Sequence, residues 1–483
     1  MPLTPSLAFL SCPAHALPRK ALTLALAGAI GTLMAGTAGA EDLLSLYQAS
    51  RVHDATFLAA QAQAQAAQYK ADQAKALLLP TVGLQASVNR NRYKSDLPDN
   101  PVTGSTGGYA TVKSAGVSAR QPLYNKANWA QVEQADQSLA AAEADLQMAE
   151  QDLMVRLTQA YFDVLAAQDV LQTTVANKTA LNEQLASAKR SFEVGNATIT
   201  DTREAQARYD LSTAQELAAT NDLQVKQLAL AQLVGKNQVV PDPLSSPSKL
   251  DSLSPGAADN WVQQASSTAP LVRKAQAGLK AAELEVDRVK AGHLPTVDLV
   301  ATAASTDVDS SAYALRSAGG DGTSASLGVE LNMSLYNGGA IQNRVREALA
   351  MVEKARNDVD NATRTSSLNT RQAYLGVQSG LAQVKAYEAA ESSAKLALEA
   401  TQLGYRVGVR INKDVLDAQT QLLSTQKDLF KARYDVIVGS MRLRQASGLL
   451  TLQDIEQLNN ALLSKDAPEP PAPATPVAPG PAQ

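Results

Sequence analysis

Ser326-Leu327-Gly328-Val329-Glu330-Leu331-Asn332-Met333-Ser334-Leu335 alternates without interruption between polar and apolar side chains. Successive side chains of a strand point to opposite faces, so the segment reads as a strand with one apolar and one polar face. Val82, Leu84, Ala86 and Val88 alternate with Gly83, Gln85, Ser87 and Asn89 in the same way, and weaker strands fall near 110–121 and 296–304. Each runs about 8–12 residues, close to the length of a tilted membrane-crossing strand. Apolar out and polar in is the pattern of an outer-membrane barrel around a wet lumen; a half-buried soluble hairpin alternates too. Four strands cannot enclose a lumen, because the smallest closed membrane barrels need about eight. An open strand edge in lipid would leave unpaired N–H and C=O groups, each costing several kcal/mol. The chain therefore needs further copies of itself. Three copies would give twelve strands and room for an opening, where two would fill the lumen with side chains.

The rest of the chain reads as helix, written twice. Leu79-Pro80-Thr81-Val82 recurs as Leu294-Pro295-Thr296-Val297, Leu123-Tyr124-Asn125 as Leu335-Tyr336-Asn337, and Gln159-Ala160-Tyr161 as Gln372-Ala373-Tyr374. Val194-Gly195 matches Val407-Gly408, Asp201 matches Asp414, and Gly235 matches Gly448. An offset held near ~213 residues marks a duplicated unit. Each half predicts a helix of roughly 35 residues (43–78, 258–292) ended by a proline, then two strands joined by a Gly/Ser/Asp-rich loop. A helix of nearly 70 residues follows (125–192, 338–404), then a Val-Gly turn and a helix of about 37 residues stopped by glycine. At ~1.5 Å per residue the long helix spans about 100 Å, and two short ones end to end span nearly the same. Leu368, Leu375, Ala382, Ala389, Leu396 and Leu403 fall every seventh residue, as do Val415, Leu422, Leu429, Val436 and Leu443. That repeat calls for coiled-coil packing.

The ends and the composition narrow the class. Arg19 and Lys20, an apolar run over 21–36 and Ala38-Gly39-Ala40 read as a secretory leader over 1–40. The one cysteine, Cys12, lies inside it, so the mature chain is expected to hold no disulfide or thiolate metal site and no lipidated N-terminal cysteine. Aromatic residues are 4% of the chain, too few for a wide layered core, and a net charge of −4 offers no basic face for nucleic acid. The expected organisation is a first repeat over 41–235, a Pro/Ser-rich crossover over 236–257, a second repeat over 258–450 and a C-terminal segment over 451–483 with a Pro/Ala-rich, unpacked tail from about 466.

Duplicated helix–strand–strand–helix–helix halves behind a leader resemble the TolC family of outer-membrane efflux and secretion ducts. The likeness rests on Leu-Pro-Thr-Val at strand entry, Leu-Tyr-Asn-Gly-Gly (335–339) at strand exit, the two Val-Gly tips and the segment 405–418, YRVGVRINKDVLDA. It covers about 41–450. It implies a mixed fold, an all-α coiled-coil barrel continuing a transmembrane β-barrel, closed as a homotrimer. It also implies a periplasmic adaptor protein and an inner-membrane pump or ABC transporter as partners, and an outer-membrane site. The missing N-terminal cysteine favours the TolC and type I secretion branch.

The tips carry the candidate site. Gly195 and Gly408 suit left-handed helix stops, and by the resemblance Val194, Gly195, Val407 and Gly408 are adaptor-docking tips. Asp414 and Asp417, three apart, share a helix face; ringed in a trimer they would favour cations, although Asp414 early in a helix is also explained by the helix dipole. The resemblance makes these two an entrance constriction, and makes Tyr405 and Arg410, with Thr200 and Asp201 as partners, a latch holding the mouth shut. His53 and His293 lack ligand-spaced neighbours, and no Walker loop, dinucleotide fingerprint or nucleophile elbow occurs. No catalysis, cofactor or metal is expected. A secreted coiled-coil stalk or a periplasmic adaptor would explain the heptads but leave the paired strands without a use.

Overall fold

A computed structural model describes residues 42–93, 108–195, 198–237, 239–242, 255–310 and 320–462. The leader, both strand-joining loops, most of the crossover and the Pro/Ala tail lie outside the described residues.

The short helices come in pairs. Where the sequence predicts one helix over 43–78, the structure has α1 (Leu43–His53) and α2 (Ala55–Lys75), then a 3-10 turn. Asp54 makes the break. Its carboxylate accepts from the Phe57 N–H at 2.8 Å and caps α2 while its backbone turns extended. A short acidic side chain competes with the helix for its own backbone in this way. Arg156 grips the same carboxylate with two hydrogen bonds and holds it below the usual carboxylate range, ahead of the backbone N–H bonds. The predicted helix over 258–292 likewise divides into α5 (Ala258–Thr268) and α6 (Pro270–Lys290). Here Pro270 brings no N–H and pushes Ala269 out of helical geometry. Buried positions keep helical spacing across both breaks, at Ser50, Asp54 and Phe57 and at Ala265, Ala269 and Val272, which is why periodicity alone reads through them.

The sheet comprises β1 (Thr81–Tyr93), β2 (Gly108–Tyr124), β3 (Thr296–Ser310) and β4 (Gly320–Asn332), all antiparallel in the order β1-β2-β3-β4. Strands of 13 to 17 residues exceed the expected 8–12. Alternation registers only their apolar stretch, and the polar ends, such as Asn89 to Arg92, pair just as regularly. β4 stops at Asn332 instead of 335 because its partner β3 begins at Thr296, directly opposite, and no ladder remains beyond that pair; Gly338 and Gly339, both at positive φ, then make the turn into the next helix.

Two long helices leave the sheet: α3 (Lys126–Glu193, 68 residues) and α7 (Ala340–Arg406, 67 residues). α4 (Ile199–Val234) and α8 (Asn412–Ala446) fold back along them, and α9 (Leu452–Leu462), unread in the sequence, closes the described chain. Near the sheet the helices lie side by side as α2-α3-α6-α7, and toward the far end as α4-α3-α8-α7. The main core joins α1, α3, α4, α8 and α9 through Tyr47, Leu157, Phe162, Leu230, Leu429 and Ile455. Gly448, with φ of 75°, stops α8 against the α5–α6 break; a Cβ there would stand 2.7 Å from the Ala269 Cα. Gly235 stops α4 against the His53 ring beside the α1–α2 break, so the two halves repeat this joint as well.

The heptad rows separate by role. Val415, Leu429, Val436 and Leu443 of α8 are buried, whereas Leu368, Leu375, Leu396 and Leu403 of α7 are 56 to 63% exposed. The seam that α7 uses within its own chain is Thr370, Val377 and Val384. The row read as a coiled-coil seam therefore faces away from the chain.

Candidate functional site: the hairpin tips

The α3–α4 and α7–α8 hairpins end about 100 Å of helix away from the sheet. Each turn is built alike. Val194 donates to the Arg190 carbonyl and Gly195 to the Phe192 carbonyl; Val407 donates to Leu403 and Gly408 to Tyr405. Gly195 and Gly408 take φ of 76° and 80°, open to solvent, and Val194 and Val407 are exposed beside them with Val409 and Ile411. Gly404 has a different reason: a Cβ there would stand 2.8 Å from the Arg410 Cγ, so the helix is thinned where that side chain crosses it.

The expected latch is not formed within one protomer. Asp201 turns back to cap its own helix, its carboxylate accepting from the Thr198 N–H at 3.0 Å and hydroxyl at 2.8 Å. An acid three residues past a Thr N-cap makes this local closure far more readily than a cross-hairpin reach. Arg410 leans on Asp414 at 3.5 Å, one turn along. Thr200 is exposed in the first turn of α4, and Tyr405 is half-buried in the last turn of α7.

Other residues join the hairpins. Arg208 of α4 reaches Asp417 of α8 at 2.6 Å, and Lys413 holds the second oxygen of that carboxylate at 2.7 Å. Lys413 first, then Arg208, keep the Asp417 carboxyl below the usual carboxylate range. Asn412, 2% exposed, accepts from Gln184 of α3 and donates to the Asp201 carbonyl at 3.5 Å. Sequence reading missed Gln184, Arg208, Asn412 and Lys413. Asn412 did carry a signal, since it stands one turn before the fully buried Leu416 on the same apolar stripe. Arg208 carried none, being one of many charged residues on α4.

At the sheet end, one face is small and polar. Ser87 and Ser114 bond at 2.9 Å, Thr302 and Ser326 at 2.7 Å, and Arg120 pairs with the buried Asp298 at 2.7 Å. The opposite face carries Val82, Leu84 and Val88 on β1 and Leu327, Val329 and Leu331 on β4, all 64 to 78% exposed. Through the register Val82 stands level with Leu327, by way of Ala119 and Ala301. The apolar stretch thus climbs from that level on β1 and descends from it on β4. A level membrane crosses the strands obliquely, as tilted barrel strands require.

A sheet apolar on one face and polar on the other, continued by helices about 100 Å long, is a sector of the wall of a membrane-crossing conduit. The chain belongs to the outer membrane efflux protein family, whose model matches residues 46–236 and 261–449. It is a channel protein of the outer membrane. It is 31% identical to the outer membrane protein TolC of Vibrio cholerae over 92% of this chain and 99% of that one. It is 30% identical to the alkaline protease secretion protein AprF of Pseudomonas aeruginosa, over 91% of each. Among solved structures it is similar to the outer membrane protein VceC of Vibrio cholerae, with a TM-score of 0.69 and 20% identity over 84% of this chain and 96% of that one, which shows the shared fold.

Proposed function

We propose that three copies close head to tail into one duct that passes cargo out of the periplasm without chemical change. The observation that carries this is the placement of the raw edges. β1, α2 and α4 lie along one side of the protomer and β4 and α7 along the other, from sheet to tip. Such an interface is heterologous and must close as a ring, and the sheet edges in lipid must pair. Exposed Leu211, Leu217, Val225 and Leu228 on α4 would meet the exposed leucine row of α7 on the next copy.

The same closure brings the α4 tip of one copy, with Thr200 and Asp201, to the α7 tip of the next, with Tyr405 and Arg410. The latch is therefore proposed between copies, with Arg208–Asp417 and Asn412 tying the hairpins within each copy. Asp414 and Asp417 would line the mouth, and the exposed Val194, Gly195, Val407 and Gly408 would dock a periplasmic adaptor that links the duct to an inner-membrane pump or ABC transporter. Similarity to the protease secretion proteins AprF and PrtF, at 30% and 29% identity, supports a secretion cargo of unfolded protein; similarity to the toluene efflux pump protein TtgC, at 26%, leaves small molecules the second reading. No step calls for a cofactor or nucleic acid.

Planar-bilayer recording tests the duct: wild-type protein gives discrete conductance steps, and R410A with Y405F enlarges them. A protein that never conducts, or an unchanged step in the double variant, would refute the duct or the latch respectively. Adaptor co-purification that survives V194D with V407D would refute the docking role.

A further inference from the structure

The apolar face of the sheet changes character abruptly at its hairpin end. On β1 the apolar side chains end at Val88, and the next two residues of that face are Arg90 and Arg92. Arg92 pairs directly with Tyr109 on β2 and Val88 with Lys113. Partners across an antiparallel pair share a face, so Arg90, Arg92, Tyr109 and Lys113 all point outward with the apolar band. The Arg90 guanidinium lies 4.8 Å and that of Arg92 5.8 Å from the centroid of the Tyr109 ring, within cation–π reach. Both lean over β2, away from the free β1 edge where a second copy would pair.

The acids of this face are placed elsewhere. Asp307 takes Lys113 at 3.0 Å. Asp309 stands in the row of Arg90 but two strands away, and Asp321 sits on β4 at the opposite edge. The ion pairs described in the sheet are Lys113–Asp307, Arg120–Asp298 and Arg120–Glu330, and none includes Arg90 or Arg92.

Height decides what these cations meet. The helices hang from one end of the strands, so the hairpin end faces away from the periplasm. A cation in the middle of a lipid-facing band is costly, and the cost falls to nearly nothing at the interface. Arg90 and Arg92 follow the last apolar residue, at the headgroups of the outer leaflet, beside a Tyr of the kind that marks a membrane interface. Guanidinium forks match phosphate oxygens two at a time.

We propose that Arg90 and Arg92, posed on the Tyr109 ring, form a binding site for the phosphate of a phosphorylated lipid headgroup in the outer leaflet. The proposal rests on the barrel reading, which makes the apolar face lipid-facing. Its test is separable, because conductance reports the barrel and lipid retention reports the site.

The full-length oligomer in neutral detergent is mixed with lipid A, or with lipid A stripped of its phosphates, repurified, and examined by native mass spectrometry. Phosphorylated lipid is retained and the stripped form is not. R90Q with R92Q lowers retention by roughly tenfold or more, the scale of two surface cations on an anionic lipid, while D321N leaves it unchanged. R92Q alone gives a several-fold loss and serves if the double variant does not assemble. Equal retention of the two lipids, or retention unmoved by the Arg variants, overturns the proposal. So does displacement of the lipid by inorganic phosphate, which would make the pair a plain anion site. Loss of the oligomer in both D321N and R90Q with R92Q would assign the arginines to the joint between copies, and also overturns it.

Discussion

Arg208 on α4 and Asp417 on α8 meet at 2.6 Å across the gap between the two hairpins of one protomer. A pair so exposed contributes about 0–1 kcal/mol in a single chain. With Asp417 placed at the mouth as proposed, the pair would also mask a carboxylate that selects cations there. R208Q should enlarge the single-channel conductance and shift the reversal potential toward cation selectivity. D417N should enlarge the conductance without that shift. Identical reversal potentials in the two variants would show that the arginine masks nothing.

The same carboxylate sets an acid limit. Lys413 and Arg208 depress its pKa in the folded protein, so its contribution is complete above the unfolded value, roughly 3.9, and disappears as pH falls through the folded one. Wild-type conductance should stay flat from neutral pH to about pH 4 and rise only below it. A rise near pH 6 would place the sensitive group elsewhere.

Farther up the hairpins, Tyr434 donates to the Asp169 carboxylate at 2.6 Å, and burial pushes that carboxyl above its usual range despite this bond. Removing the donor strands a desolvated acid; making the acid an amide keeps an acceptor and removes the charge. Y434F should cost about 1.5–3 kcal/mol, whereas D169N should be near neutral. Urea unfolding of the two variants decides it, and equal losses would contradict the assignment.

Glycines that look alike in sequence should differ in cost. Gly195 and Gly448 both take left-handed geometry, but only Gly448 abuts backbone. G195A should cost about 1–2 kcal/mol, the left-handed penalty alone. G448A should lower the melting temperature clearly further, since the Ala269 backbone must also move. Matching melting temperatures would mean the close approach relaxes freely.

The leucine row of α7 gives a test of assembly apart from folding. L375D with L396D leaves the protomer core intact because both side chains are exposed in it. Far-UV circular dichroism should keep its helical signal while the heat-modifiable trimer vanishes from gels. Deleting 466–483, by contrast, should leave the trimer in place, and a loss there would give the Pro/Ala tail a structural part.

The architecture was legible because its signals are periodic and repeated. Alternation at 326–335 exposed a membrane strand, and the Val-Gly tips fixed the ends of the long helices within a residue or two. What stayed hidden depends on single side chains or on long-range pairing. Asp54 reads like any polar residue until its carboxylate is seen capping α2. The buried fate of Val436 and the exposed fate of Leu396 follow the same seven-residue rule, and only the neighbour on each side tells them apart. Near the hairpin tips, Asp417 was legible as a carboxylate, but its partner Arg208 lies 209 residues away, beyond the reach of any local pattern.

The first amide of α1, that of Leu43, donates to the side chain of Asn459, whose amide in turn reaches Asp42. The opening helix is thus fastened by a residue made among the last. That fastening forms only after Asn459 has been made, so the cap of the first helix is one of the last contacts the chain can close, although α3 and α4 already cover its apolar side.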